Sequence, residues 1–160
     1  MDDTHDRTDT TPQSDGNRSA QNEETDKTTD LRELSDNPSF DIPVRPERRY
    51  TRNGGVAYEG GTTFHLVTKP SLSADDLESI LTTVLDNDRY VRGDWFDLPR
   101  PVFLVHDRTV STAFRVVVRS GRLELHVLPS TDPAALKAIF DQLRETASVE
   151  WNVLYRVESR

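Results

Sequence analysis

The stretch Thr112 to Leu128, TAFRVVVRSGRLELHVL, constrains this chain more than any other because it dictates its own pairing. Ser120-Gly121 is a two-residue loop of the kind that joins tightly paired antiparallel strands, since glycine accepts the positive φ such turns need. With that loop fixed, Arg119 faces Arg122, Val118 faces Leu123, Val117 faces Glu124, Val116 faces Leu125, Arg115 faces His126 and Phe114 faces Val127. Side chains alternate along a strand, so Phe114, Val116, Val118, Leu123, Leu125 and Val127 share one face. Arg115, Val117, Arg119, Arg122, Glu124 and His126 share the other. The first face is core; the second needs another explanation.

The rest of the chain supplies elements to pack against that core. Thr62 to Thr68 reads as a strand with Phe64 and Leu66 inward and His65 and Val67 outward. A helix follows, with Ser73 as its N-cap, Asp76 three residues on, Leu72 able to staple onto Leu77, and an apolar stripe of Leu77, Ile80, Leu81, Val84 and Leu85. Asp75, Asp76 and Glu78 suit the positive end of that helix and need no catalytic role. Asp88 to Pro101 is an irregular connection with a short strand at Tyr90 to Arg92. Val102 to His106 is a strand joined by a loop over Asp107 to Val110 to the hairpin, which sets Phe103 opposite Phe114. Asp132 caps a second helix that opens on Pro133 and carries Leu136, Ile139, Phe140 and Leu143. Val149 to Val157 is a last strand. This order predicts an α+β two-layer sandwich, a mainly antiparallel sheet with two helices on one face, a variant of the ferredoxin-like plan.

Charge divides the chain into three. Residues 1–42 hold twelve Asp or Glu against four Lys or Arg, a net −8, and are expected to form a disordered acidic tail. Leu31, Leu34, Phe40 and Ile42 interrupt that tail, either as part of a flexible approach or as a segment that docks on a partner or on the domain's own sheet. Residues 43–60, with four Arg against two Glu and the pairs Gly54-Gly55 and Gly60-Gly61, read as a basic, glycine-rich linker with a short strand at Val56 to Tyr58. Residues 61–160 form the single α+β domain and are close to neutral, with fourteen acids and twelve bases. Asp-rich, Lys-poor, cysteine-free usage resembles that of halophile proteins, in which salt screens surface repulsion. With no cysteine there is no disulfide framework and no thiolate chemistry. A polar acidic N-terminus and the lack of any long apolar run point to a cytoplasmic protein that makes no contact with membranes.

The outward face of the strands holds Val102, Leu104, Ala113, Val117 and Leu154 among Arg115, Arg119, Arg122, His126 and Arg156. An apolar centre with an arginine-rich rim is the composition of a contact surface, and the expected function is a non-catalytic interaction or regulatory domain that holds a protein partner or a second copy. The alternative is nucleic-acid binding by those arginines together with Arg45, Arg48, Arg49, Tyr50 and Arg52, where basic residues interleave with an aromatic. A third reading, a hydrolase, rests on His65, His126 and Glu124 as weak metal ligands, on the His106-Asp107 pair, or on Asp94 and Asp97 beside Trp95 and Phe96 as an acid–base couple. The glycine pairs precede a strand instead of opening a helix, so they are not a phosphate loop. No catalytic residue, cofactor or firm metal site is assigned.

Overall fold

The computed structural model describes residues 31–94 and 102–159. The α+β sandwich is borne out. Nine strands, β1 (Arg32–Glu33), β2 (Glu47–Tyr50), β3 (Val56–Glu59), β4 (Gly61–Lys69), β5 (Tyr90–Asp94), β6 (Val102–Asp107), β7 (Thr112–Arg119), β8 (Arg122–Val127) and β9 (Glu150–Glu158), accompany helices α1 (Ala74–Leu85) and α2 (Pro133–Thr146). Seven strands form one antiparallel sheet in the order β1-β9-β4-β8-β7-β6-β5, and β2 pairs with β3 apart from it. The ferredoxin-like plan places two strands between its helices; here four strands, β5 to β8, lie between α1 and α2.

The hairpin has the register its loop dictates, from Arg119↔Arg122 to Phe114↔Val127. Gly121 takes φ +80°, and its turn is tucked under the entry to α1: its N–H donates to Leu72 O at 2.8 Å, and a Cβ there would lie 2.6 Å from Ser71 Oγ. One strand further on the expected register is displaced. Phe103 faces Val116, and it is Val105 that faces Phe114. Asp107, expected in the loop, instead ends β6, fully buried, with its carboxylate gripped by Arg89 Nε and Nη2 and accepting the N–H of Thr109. The displacement is two residues, and side-chain parity repeats every two, so both faces survive.

Phe64, Leu66, Phe103, Val105, Phe114, Val116, Val118, Leu123, Leu125, Val127 and Val153 turn toward the helices and join Leu77, Leu81, Leu136, Ile139, Phe140 and Leu143 in one core. Ser73 Oγ accepts from Asp76 N, and Asp132 Oδ1 from Ala134 N, so each helix starts where its cap residue stands.

Two expectations need correction. The end of the supposed tail belongs to the fold: Arg32 and Glu33 pair with Tyr155 and Leu154, Leu34 N donates to Val153 O, and Phe40 is fully buried with its ring edge-on to Phe64 and Phe140. An aromatic in a polar stretch was the signal, and its burial offsets the cost of ordering residues 31–42. Within residues 43–60, Glu47–Tyr50 and Val56–Glu59 pair as a hairpin around the turn Thr51 to Gly55. Thr62 Oγ1 donates to Val44 O, and Arg45 Nη1 to Pro129 O and Thr131 O, tying this segment to the domain.

Candidate functional site

The sheet face away from the helices carries the candidate residues in three cross-strand rows. In the first, Arg156, Thr63, His126, Arg115, Leu104 and Gly93 follow one another from β9 to β5. The second runs Leu154, His65, Glu124, Val117, Val102, and the third Asn152, Val67, Arg122, Arg119. All nine residues proposed for partner contact therefore share one face, as alternation requires. Their exposure differs from expectation. Each of the nine is half-buried, while Val91, opposite His106 on the edge strand β5, is an apolar side chain of this face that is 45% exposed.

The middle of the face is ionic. Glu124 is only 4% exposed, and its Oε1 accepts from Arg119 Nε at 2.5 Å and from Arg122 Nη2 at 3.3 Å. His126 Nε2 lies 3.3 Å from Oε2. Burial pushes this carboxyl upward, but hydrogen bonds from His126 and Arg119 and the charge of Arg119 outweigh it and hold the group at about 2. Across the strand, His65 is buried with neither ring nitrogen hydrogen-bonded. Burial lowers it to about 4, against the pull of Glu124 and with the help of Arg122, Arg156 and His126, so it is neutral at pH 7.

The three weak metal candidates are thus neighbours, but Glu124 Oε1 accepts from two guanidinium groups, which repel a cation, and Oε2 lies against His126 Nε2. Among the described residues no cluster of three or more His, Cys, Asp or Glu could hold a metal ion. His106 stands exposed at the end of β6, while Asp107 points into the core toward Arg89, so the two do not converge. Trp95, Phe96 and Asp97 lie outside the described residues, as does the side chain of Asp94.

The β2–β3 hairpin brings a feature that strand alternation could not reveal. Tyr58 stands over Arg115, 5.9 Å from guanidinium carbon to ring centroid. Tyr58, Pro46, Gly60, Gly61, Thr63, Arg115, His126 and Arg156 border a cavity of about 150 Å³ at the end of the first row. On the hairpin itself, Tyr50 is 75% exposed with Arg48 stacked on its ring, and Arg49 is paired with Glu59. Arg52 is exposed in the turn, whereas Arg45 is engaged with the loop before α2. No family model, curated protein or solved structure matches this chain.

Proposed function

We propose that this is a non-catalytic, cytoplasmic binding domain that holds a protein partner, in the simplest case a second copy of itself, on the sheet face opposite the helices. The observation that carries the reading is the composition of the layer opposite the helices. Among the described residues no helix covers this face, on which Val102, Leu104, Ala113, Val117 and Leu154 sit half-buried beside four arginines, with Glu124 as the one buried acid. Protein contact surfaces combine apolar patches with arginine in this way. Nucleic acid is the lesser reading, because Glu124 ties up Arg119 and Arg122, Glu158 holds Arg156, and the exposed tyrosines belong to the hairpin and not to the sheet.

The test is association measured by light scattering on the pure protein, and by capture from a salt-matched extract, for the wild type and for Val117→Asp and Leu104→Asp. Both substitutions should abolish association while leaving the fold intact, since a carboxylate buried against a partner costs several kcal/mol, on the order of 3–5. Association unchanged in both variants would remove the proposal. Capture of nucleic acid, weakening steeply with salt, would favour the arginine-based alternative.

A further inference from the structure

The β2–β3 hairpin has two sides of different chemistry. Cross-strand partners share a side, so the pairs Arg48↔Tyr58 and Tyr50↔Val56 put Arg48, Tyr50, Val56 and Tyr58 together. The pairs Glu47↔Glu59 and Arg49↔Ala57 put both acids on the other side, where Arg49 Nε meets Glu59 Oε2 at 2.8 Å. The first side therefore carries an arginine, two phenol rings and a valine, and no acid; Arg52 adds a second exposed arginine at the turn.

Pairing within the hairpin leaves this side open. Arg48 lies over the Tyr50 ring at 5.2 Å, yet Tyr50 is still 75% exposed, and Val56 and Tyr58 are 44% and 41% exposed. Of the four large apolar side chains exposed among the described residues, these are three, so the exposure is concentrated on one small element. That element is anchored. Pro46 at its base is buried, Thr62 Oγ1 donates to Val44 O, Arg45 Nη1 donates to Pro129 O and Thr131 O, and Tyr58 stands over Arg115.

Size and spacing select the occupant. Strands of this length run only about 14 Å, and one side of the pair offers four side chains, far short of the roughly 20–30 residues that each partner brings to a protein interface. Tyr50 and Tyr58 are diagonal neighbours on adjacent strands, about 7–8 Å apart, so two bases of one nucleic-acid strand can each take a ring. Aromatic rings on neighbouring strands stack unpaired bases in this way, with arginines beside them for the phosphates. A base inside a duplex is stacked on both faces and has none free.

We propose that the Arg48–Tyr50–Val56–Tyr58 side of the β2–β3 hairpin binds single-stranded nucleic acid, with Tyr50 and Tyr58 stacking on two unpaired bases and Arg48 and Arg52 at the phosphates. The site is separate from the outer face of the sheet and does not depend on what that face holds. Fluorescence anisotropy of the full-length protein with short labelled oligo(dT), oligo(U) and a duplex of equal length tests it. Single strands should bind more tightly than the duplex, and the comparison of oligo(dT) with oligo(U) tells whether DNA or RNA is preferred. Tyr50→Ser and Tyr58→Ser should each weaken binding about five- to a hundredfold, the loss of one stacked base. Arg48→Gln should flatten the dependence of log K on log salt by about 0.7, one phosphate's share on a single strand. Arg144→Gln, which removes the same charge from α2, should change neither quantity. Urea unfolding checks that each variant keeps its fold, and Tyr50, the most exposed of the four, keeps the test valid if Tyr58→Ser unfolds. No binding of either single strand, equal binding of the duplex, or binding that survives both tyrosine substitutions overturns the assignment; in the last case the sheet arginines, and not the hairpin, hold the strand. Protein association that is lost in Tyr50→Ser while neither oligonucleotide binds would overturn it too, making this side a protein contact.

Discussion

Replacing Glu124 with Gln removes a buried acid of the outer face and leaves Arg119, Arg122 and His126 facing an amide. The carboxyl, held at about 2 against an ordinary value of 4.5, gives a native-state preference for the ionised form of about 3 kcal/mol. Arg119 and Arg122 are 32% and 40% exposed and regain some hydration when the charge is lost, so the expected cost at pH 7 is about 2–3 kcal/mol. A depressed carboxyl contributes fully above its unfolded value, and its contribution is lost as pH falls toward its folded value. The difference between wild type and Glu124→Gln should therefore be constant from pH 7 to about 4.5 and shrink below about 1 kcal/mol near pH 2. Urea unfolding followed by circular dichroism at matched salt, at pH 7, 4.5 and 2.5, measures this. A variant within about 0.5 kcal/mol of wild type at pH 7, or a deficit that does not change with pH, would refute the ionic account of this face.

Lowered to about 4 from 6.5, His65 should make wild-type stability fall as pH drops between those values, by roughly 3 kcal/mol in all, since the unfolded chain takes up the proton first. His65→Leu should flatten that part of the profile, and an unchanged slope would place the titration elsewhere. Phe40→Ala should cost about 3–5 kcal/mol if residues 31–42 are integral to the fold, whereas a loss under about 1 kcal/mol in urea unfolding would return them to the tail.

Period-two and helical patterning made the core legible, because burial repeats with the backbone geometry. The hairpin register followed from one glycine, and both helix starts from Ser73 and Asp132. The two-residue displacement of β6 on β7 was hidden because Asp107 looks like a loop residue until Arg89, eighteen positions earlier, is found to pair with it. Phe40 was visible as an apolar residue, but nothing local says that its ring enters the core between Phe64 and Phe140. Strand parity assigned every outward residue its face. It could not show that the nine proposed contact residues would each be half-buried, or that Tyr58 would fold over Arg115. Tyr58 reaches this face from the β2–β3 hairpin, whose position beside the sheet was not readable from sequence, whereas Arg119, Arg122, Glu124 and His126 already shared one face of the readable β7–β8 hairpin.

The central claim is that the sheet has one face that is core and another available for contact, and adjacent valines of β7 test it side by side. Val116 is fully buried against the helices, while Val117 lies between Glu124 and Val102 on the other face. Cooperative urea unfolding of Val116→Asp and Val117→Asp in one buffer is the direct measurement. Val116→Asp should abolish the folded baseline, because it buries an unpaired charge among apolar side chains. Val117→Asp should unfold cooperatively, with a loss of at most about 1 kcal/mol from the new carboxylate opposite Glu124. Equal loss of folding in both variants would contradict the two-faced sheet.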